Sequence, residues 1–219
     1  MAIKIIITGA TGFVGEGVLL ESLNHPQIEE ILMVNRKPLA LKHPKLKELL
    51  VSDFMNLEPV KSQLKGYDAC FYCVGVSSAG LDVATYTKIT FDTTLHFAKT
   101  LVEVNPAMVF NFVSGKSTDS SETGKVMWAR VKGKTENALG QLHFKNQYNF
   151  RPGFMKPMPG QKNVRTFYKA LSGIWPLLFP KSSCLMQEVG QAMINAVIKG
   201  YPKQTLEVAD IKTLADLRA

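Results

Sequence analysis

Residues Ile3-Lys4-Ile5-Ile6-Ile7-Thr8 form a β-branched run that stops at Gly9-Ala10-Thr11-Gly12-Phe13-Val14-Gly15, after which apolar residues recur at helical spacing. That order reads as buried strand, tight turn, helix. The glycines stand as G-x-x-G-x-x-G, and each has a physical task in a dinucleotide site. Gly9 lets the chain turn sharply off the strand, Gly12 removes a Cβ where the backbone must approach a pyrophosphate, and Gly15 lets the helix pack close to the strand. The first turn of the helix presents free amide N–H groups and the positive end of a dipole, which suits phosphate. Three spaced glycines carry little information alone; after a strand and before a helix they predict a phosphate-binding turn.

The rest of the chain repeats this alternation. Phe13 to Leu23 continues the helical spacing and ends at His25-Pro26. Glu30 to Val34 reads as a second buried strand, Leu46 to Val51 as a third, and Leu57 to Leu64 as a short helix before Gly66. Asp68 to Val74 is a fourth strand, and Asp82 to Val104 a long helix terminated by Asn105-Pro106. Met108 to Val113 is a fifth strand, Ser114 to Gly124 a polar loop, Lys125 to Leu142 a helix, and Tyr148 to Phe150 a sixth strand running into Arg151-Pro152-Gly153. Glu188 to Lys199 is a further helix, and Leu206 to Val208 a last short strand. Alternation of this kind predicts a doubly wound parallel sheet, a three-layer α/β/α arrangement with ligands at the carboxyl ends of its strands. Residues 1–219 read as one domain, with 154–219 as a small substrate-side extension whose Met155, Met158, Trp175 and Met186 are candidates for an apolar pocket.

Composition excludes some classes. The longest apolar stretch in the extension, Ile174 to Phe179, is short and interrupted by Pro176, so no membrane span is expected. The first apolar run is a strand rather than a signal peptide, and three cysteines fit a reducing compartment, which points to the cytoplasm. The net charge of +8 permits an acidic ligand or nucleic acid, but the basic residues are scattered, which argues for a solvated surface and against nucleic-acid binding. No pair among His25, His43, His96 and His143 has metal-ligand spacing, so no metal is expected. Cys70 and Cys73 are three apart on a strand and point to opposite faces, which opposes a joint redox or zinc site. Gly115-Lys116-Ser117-Thr118 lacks the earlier glycine of a phosphate loop, because Phe110 stands there.

Cofactor preference is also readable. A site for NAD commonly carries an acid about 20 residues past the glycines, on the ribose 2′-hydroxyl. Asn35-Arg36-Lys37 offers an amide and two cations instead. Arg36 suits a 2′-phosphate, so NADP(H) is favoured over NAD.

At this point the chain resembles the short-chain dehydrogenase/reductases of the extended or atypical branch. Thr8 to Gly15 matches the branch's cofactor motif, and Lys132-Gly133-Lys134-Thr135-Glu136 is similar to the V-K-G-x-x-E segment of its small members related to Tat-interactive protein 30. The resemblance implies a Rossmann-like sheet of order 3-2-1-4-5-6 with a short carboxyl-terminal extension. It implies that Gly9, Thr11, Gly12, Phe13, Val14 and Gly15 cradle the pyrophosphate, that Asp53 and Phe54 meet the adenine, and that Val74 and Gly75 flank the adenosine. Arg151 and Pro152 would lie beside the nicotinamide, Lys132 on its ribose, and Ser114 on a substrate oxygen.

One position departs from the family pattern. The family's catalytic Tyr-x-x-x-Lys would place a tyrosine at residue 128, and that residue is Trp. An indole has an N–H donor but no useful acidity near neutral pH and no lone pair to act as base. Trp128 therefore reads either as a stacking wall for a flat substrate or as the mark of a site that binds cofactor without proton transfer. Tyr86, near the start of the long helix, is a candidate replacement phenol or a residue packed in a helix interface. Two functions follow. One is an NADP(H)-dependent oxidoreductase acting on a small carbonyl, quinone or alcohol. The other is a non-catalytic NADP(H)-sensing regulator with a protein partner. Either a monomer or a homodimer is compatible with the sequence.

Overall fold

Alternate side chains of the first strand go to opposite sides of a sheet, and both sides are apolar. In the computed structural model, which describes residues 2–164, 166–171 and 173–217, β1 (Ile3–Thr8) sends Ile3, Ile5 and Ile7 into one core and Ile6 into another. A strand buried on both faces needs a parallel neighbour on each side and helices above and below. β1 pairs in parallel with β2 (Ile28–Asn35) and β4 (Ala69–Tyr72). Outward from these run β3 (Leu46–Leu50), β5 (Val109–Val113) and β6 (Asn146–Phe150). The order is thus β3-β2-β1-β4-β5-β6, the Rossmann-like order that the family resemblance implies. A seventh parallel strand, Thr205–Leu206, extends the far edge beside β6.

One face is covered by α1 (Phe13–Asn24) and by a late helix, Met186–Ile198, which pack against each other. The other is covered by the long helix after β4, its partner α4 (Met127–Leu139) and the tight helical turn Glu58–Leu64. The long helix is built from α2 (Val83–Thr87), one π turn (Lys88–Asp92) and α3 (Thr93–Val104), where the sequence reads as a single uninterrupted helix. Asp82 caps it by accepting the Thr85 amide at 2.9 Å. Tyr86 is 1% exposed in this layer. Its phenol is pushed up by burial, and it does not line the cleft described below, so it packs between helices rather than replacing the missing acid.

Residues after Gly153 cross over the carboxyl edge of the sheet. β7 (Phe154–Lys156) pairs with the later strand Ser183–Leu185 in a separate two-stranded ribbon. Between them lie α5 (Thr166–Leu171) and α6 (Trp175–Leu178). The crossing is tied to α1: Gln161 Nε2 donates to the Phe13 carbonyl at 2.8 Å, and the buried Glu16 carboxylate accepts the amides of Lys162 and Asn163 at 2.9 and 2.7 Å.

Candidate functional site

The turn after β1 is fixed by close approach. Gly9 has φ +71°, and a Cβ there would lie 2.6 Å from the Cys73 carbonyl carbon. A Cβ on Gly15 would lie 2.2 Å from the Gly9 carbonyl oxygen. Any side chain at either position would push the turn off β4 or the helix off the turn. Gly12 caps α1 without any side-chain bond, so the first amides of the helix remain for an anion.

These amides open into a cleft of about 1190 Å³ at the carboxyl ends of the strands, larger than the roughly 300–1,000 Å³ of a single small-ligand site. Its floor comes from Thr11, Gly12, Phe13 and Val14, and one wall from Val74 and Gly75. The far wall carries Ser114, Trp128, Lys132 and Pro152. At the end of β2 the buried Asn35 amide nitrogen has no partner within the protein. An uncapped helix start, a turn packed so closely that Gly9 and Gly15 leave no room for a Cβ, and an orphaned amide donor together fit a dinucleotide.

The chemistry-bearing groups lie where β5 meets α4. Ser114 follows β5, and its Oγ donates to Glu136 Oε1 at 2.5 Å, with the Phe150 carbonyl as a second acceptor at 3.2 Å. Glu136, one turn after Lys132, is 3% exposed. Its carboxylate is gripped by the Arg151 guanidinium through two hydrogen bonds, and Arg151 also reaches Glu207 and Ser120. The Lys132 ammonium donates to the Ser114 carbonyl oxygen. Burial lowers the Lys132 pKa to about 8, against a smaller upward pull from Glu136. Residues 5–147, which carry the turn, β5 and most of this cluster, match the NAD dependent epimerase/dehydratase family.

The chain belongs to that family. As an epimerase/dehydratase-family chain it is similar to Protein HTATIP2 of Rattus norvegicus, at 25% identity over 179 residues, 78% of this chain and 73% of that protein. Two further curated relatives are matched over 52% and 64% of their own lengths. Among solved structures, the Bordetella bronchiseptica enzyme WbmF in complex with NAD+ has a TM-score of 0.66 at 14% identity, covering 96% of this chain and 76% of WbmF. Carbonyl reductase Sniffer of D. melanogaster has a TM-score of 0.64 at 14% identity, over 94% and 96% of the two chains. These likenesses place the epimerase/dehydratase chain among atypical short-chain dehydrogenase/reductase-like, NAD(P)-binding folds.

Four of the expected cofactor contacts, Arg36, Asp53, Phe54 and Arg151, do not line the cleft. Arg151 does not line the cleft; its guanidinium lies on Glu136 and Glu207, because a buried carboxylate next to it must be neutralised. The Phe54 ring is 6% exposed and packs 5.2 Å from Phe97, so only its backbone remains for an adenine. Asp53 is exposed and spends Oδ1 on the Met55 amide at 2.8 Å. Arg36 and Lys37 are exposed at the β2 end, outside the cleft. Of the apolar pocket candidates, Met155 and Trp175 line the cleft, whereas Met186 is core and Met158 packs against that core. Cys70 and Cys73 face the two different cores, as strand alternation requires.

The sequence reading overlooked Glu136 as the anchor of Ser114. The segment was legible, but a glutamate four residues after a lysine reads equally well as an exposed helix pair. Lys116, legible only as part of a polar loop, donates from Nζ to Ser182 Oγ at 2.5 Å across the cleft, and no motif marks the aromatic wall of Phe154, Tyr168 and Phe179. Lys116 and Phe179 lie in irregular chain, and Phe154 and Tyr168 in the short elements β7 and α5, none of them long enough to show a periodicity. Among the described residues no cluster could hold a metal ion, and no helix is long and apolar enough to cross a membrane.

Proposed function

We propose that this chain binds NADP(H) and reduces a small carbonyl or quinone, or oxidises the corresponding alcohol. The observation that carries the reading is Lys132, a half-buried cation whose pKa desolvation lowers, in the same cleft as the glycine turn. When bound, the nicotinamide would supply or accept the hydride. The turn at residues 9–15 would hold the pyrophosphate, and Arg36 and Lys37 the 2′-phosphate, since no acid at the end of β2 meets a 2′-hydroxyl. Lys132 would hold the nicotinamide ribose and stabilise negative charge on the reacting oxygen.

Proton delivery distinguishes this site from the family pattern. The Ser114 hydroxyl proton is committed to Glu136, leaving the hydroxyl lone pairs toward the cleft. Trp128 supplies an indole donor without acidity. The proton on a product alcohol would then come from Lys132, whose lowered pKa puts the ammonium in a useful range for a general acid.

The same two features support a second reading, a protein that senses NADP(H) and signals to a partner without chemistry. Calorimetric titration with NADPH, NADP⁺ and NADH tests the cofactor site that both readings share. We expect NADPH to bind about tenfold or more tightly than NADH, through charge-assisted contacts at Arg36. Trp128→Tyr restores a phenol: a gain in carbonyl reduction supports the reductase, and none with cofactor binding intact supports the sensor. Failure of all three nucleotides to bind overturns both.

A further inference from the structure

The segment between β7 and the strand that pairs with it contains an apolar tip that no described element covers. Ile174 is 62% exposed, Leu177 81%, Leu178 64% and Phe179 47%. On its inner side the Trp175 ring lies 4.7 Å from Phe179 and 6.0 Å from Phe154, and these three rings line the cleft. Leu177 and Leu178 do not line it; they stand outward. A contiguous exposed apolar group of this kind marks an interaction site rather than ordinary surface.

The sequence around it is basic. Residues 152–187 hold Lys156, Lys162, Arg165, Lys169 and Lys181 and no Asp or Glu, so this short stretch carries five of the net +8 charges of the chain. Lys156, Lys162 and Lys181 are exposed. Two more cations reach in from outside the stretch: Lys212 Nζ donates to the Pro180 carbonyl at 3.0 Å, and Lys116 holds Ser182. The acids on the flanks are occupied, Glu188 on the Leu185 amide at 2.6 Å and Glu207 on Arg151.

We propose that this tip docks on an anionic lipid bilayer, with Ile174, Leu177 and Leu178 entering the apolar phase and the surrounding lysines on the headgroups. Charge complementarity selects this occupant. A second copy of the chain meeting tip to tip would set two strongly basic stretches against each other. An 81% exposed leucine stands out from the surface; it inserts readily into a fluid phase, whereas a protein would need a matching cavity. Tryptophan, leucine and phenylalanine beside lysine are the composition that interfacial segments use. The docking is peripheral, as the tip is one short helical turn, Trp175–Leu178. Because Trp175 and Phe179 belong to both tip and cleft, a lipophilic carbonyl or quinone could pass from bilayer to site without crossing water. That consequence rests on the reductase reading; the docking does not.

The test is sedimentation of the full chain with phosphatidylcholine vesicles, with and without phosphatidylserine, across a salt series. We expect binding to the anionic vesicles that weakens with salt. The double variant Leu177→Gln/Leu178→Gln should bind about tenfold or more weakly, with unchanged melting temperature and NADPH affinity. No binding to anionic vesicles at low salt overturns the proposal, as does equal binding by the double variant or equal binding to neutral vesicles. A dimer seen by analytical ultracentrifugation that the double variant dissolves assigns the tip to self-association and also overturns it. Loss of NADPH binding in the wild type, with vesicle binding kept, would sink the reductase reading and leave the docking standing.

Discussion

Glu136 decides what Ser114 can offer. With its hydroxyl proton on a carboxylate that Arg151 neutralises, Ser114 faces the cleft as an acceptor, and Lys132 becomes the principal charged donor of that wall. Lys132 also makes a pH prediction. Burial favours its neutral amine, so the native chain releases this proton near pH 8 while the unfolded chain keeps it to about 10.5. Below pH 8 both states are protonated and the fold carries the full desolvation penalty. Between these values the unfolded state binds more protons, so stability rises with pH. The urea midpoint should climb from pH 8 to 10, and the climb should flatten in Lys132→Met. An identical pH profile in the variant would show that the ammonium is not desolvated.

At the scale of elements, the site depends on how closely α4 approaches the loop before it. A Cβ on Gly133 would lie 1.8 Å from the Asp119 carbonyl oxygen. The Asp119 amide in turn donates to the Ala129 carbonyl at 3.1 Å, and the next residue, Ser120, accepts from Arg151. Helix, loop and buried ion pair are therefore one unit. Gly133→Ala should lower stability by about 1–3 kcal/mol, the usual cost of overpacking, measured by urea denaturation. It should also weaken NADPH binding by moving Lys132 one residue away. A variant as stable as the parent would mean that the loop gives way freely. The glycine was visible in the segment K-G-K-T-E, but its partner was not, since residues 119 and 133 meet only because of the path of the loop.

For the whole molecule, the glycine turn, the long helix pair and the crossing after Gly153 all converge on the carboxyl edge of the sheet. A ligand there binds the native chain and not the unfolded one. At about one hundred times its dissociation constant, NADPH should stabilise the fold by about 2.7 kcal/mol, which for a chain of this size raises the melting temperature by roughly 2–4 °C per kcal/mol. NADH at the same concentration should give a smaller rise. Equal rises would remove Arg36 and Lys37 from the 2′-phosphate and leave the glycine turn as the shared site.

The strands and the glycine turn were legible in the sequence because local rules govern them, whereas the order of the strands in the sheet came with the family resemblance. β-branched runs buried on both faces, a glycine at positive φ and a helix start are properties of a few neighbouring residues. Trp128 and Lys132 were likewise legible, since i and i+4 on a helix share a face. What the tertiary structure alone decided was pairing at long range. Arg151 stands beside the expected nicotinamide position in sequence, yet its guanidinium goes to Glu136 and Glu207. Phe54 follows β3 as expected, yet its ring turns into the core against Phe97. A buried carboxylate takes the nearest cation in space and a buried ring the best-packed cavity, and neither distance is written in the order of residues along the chain.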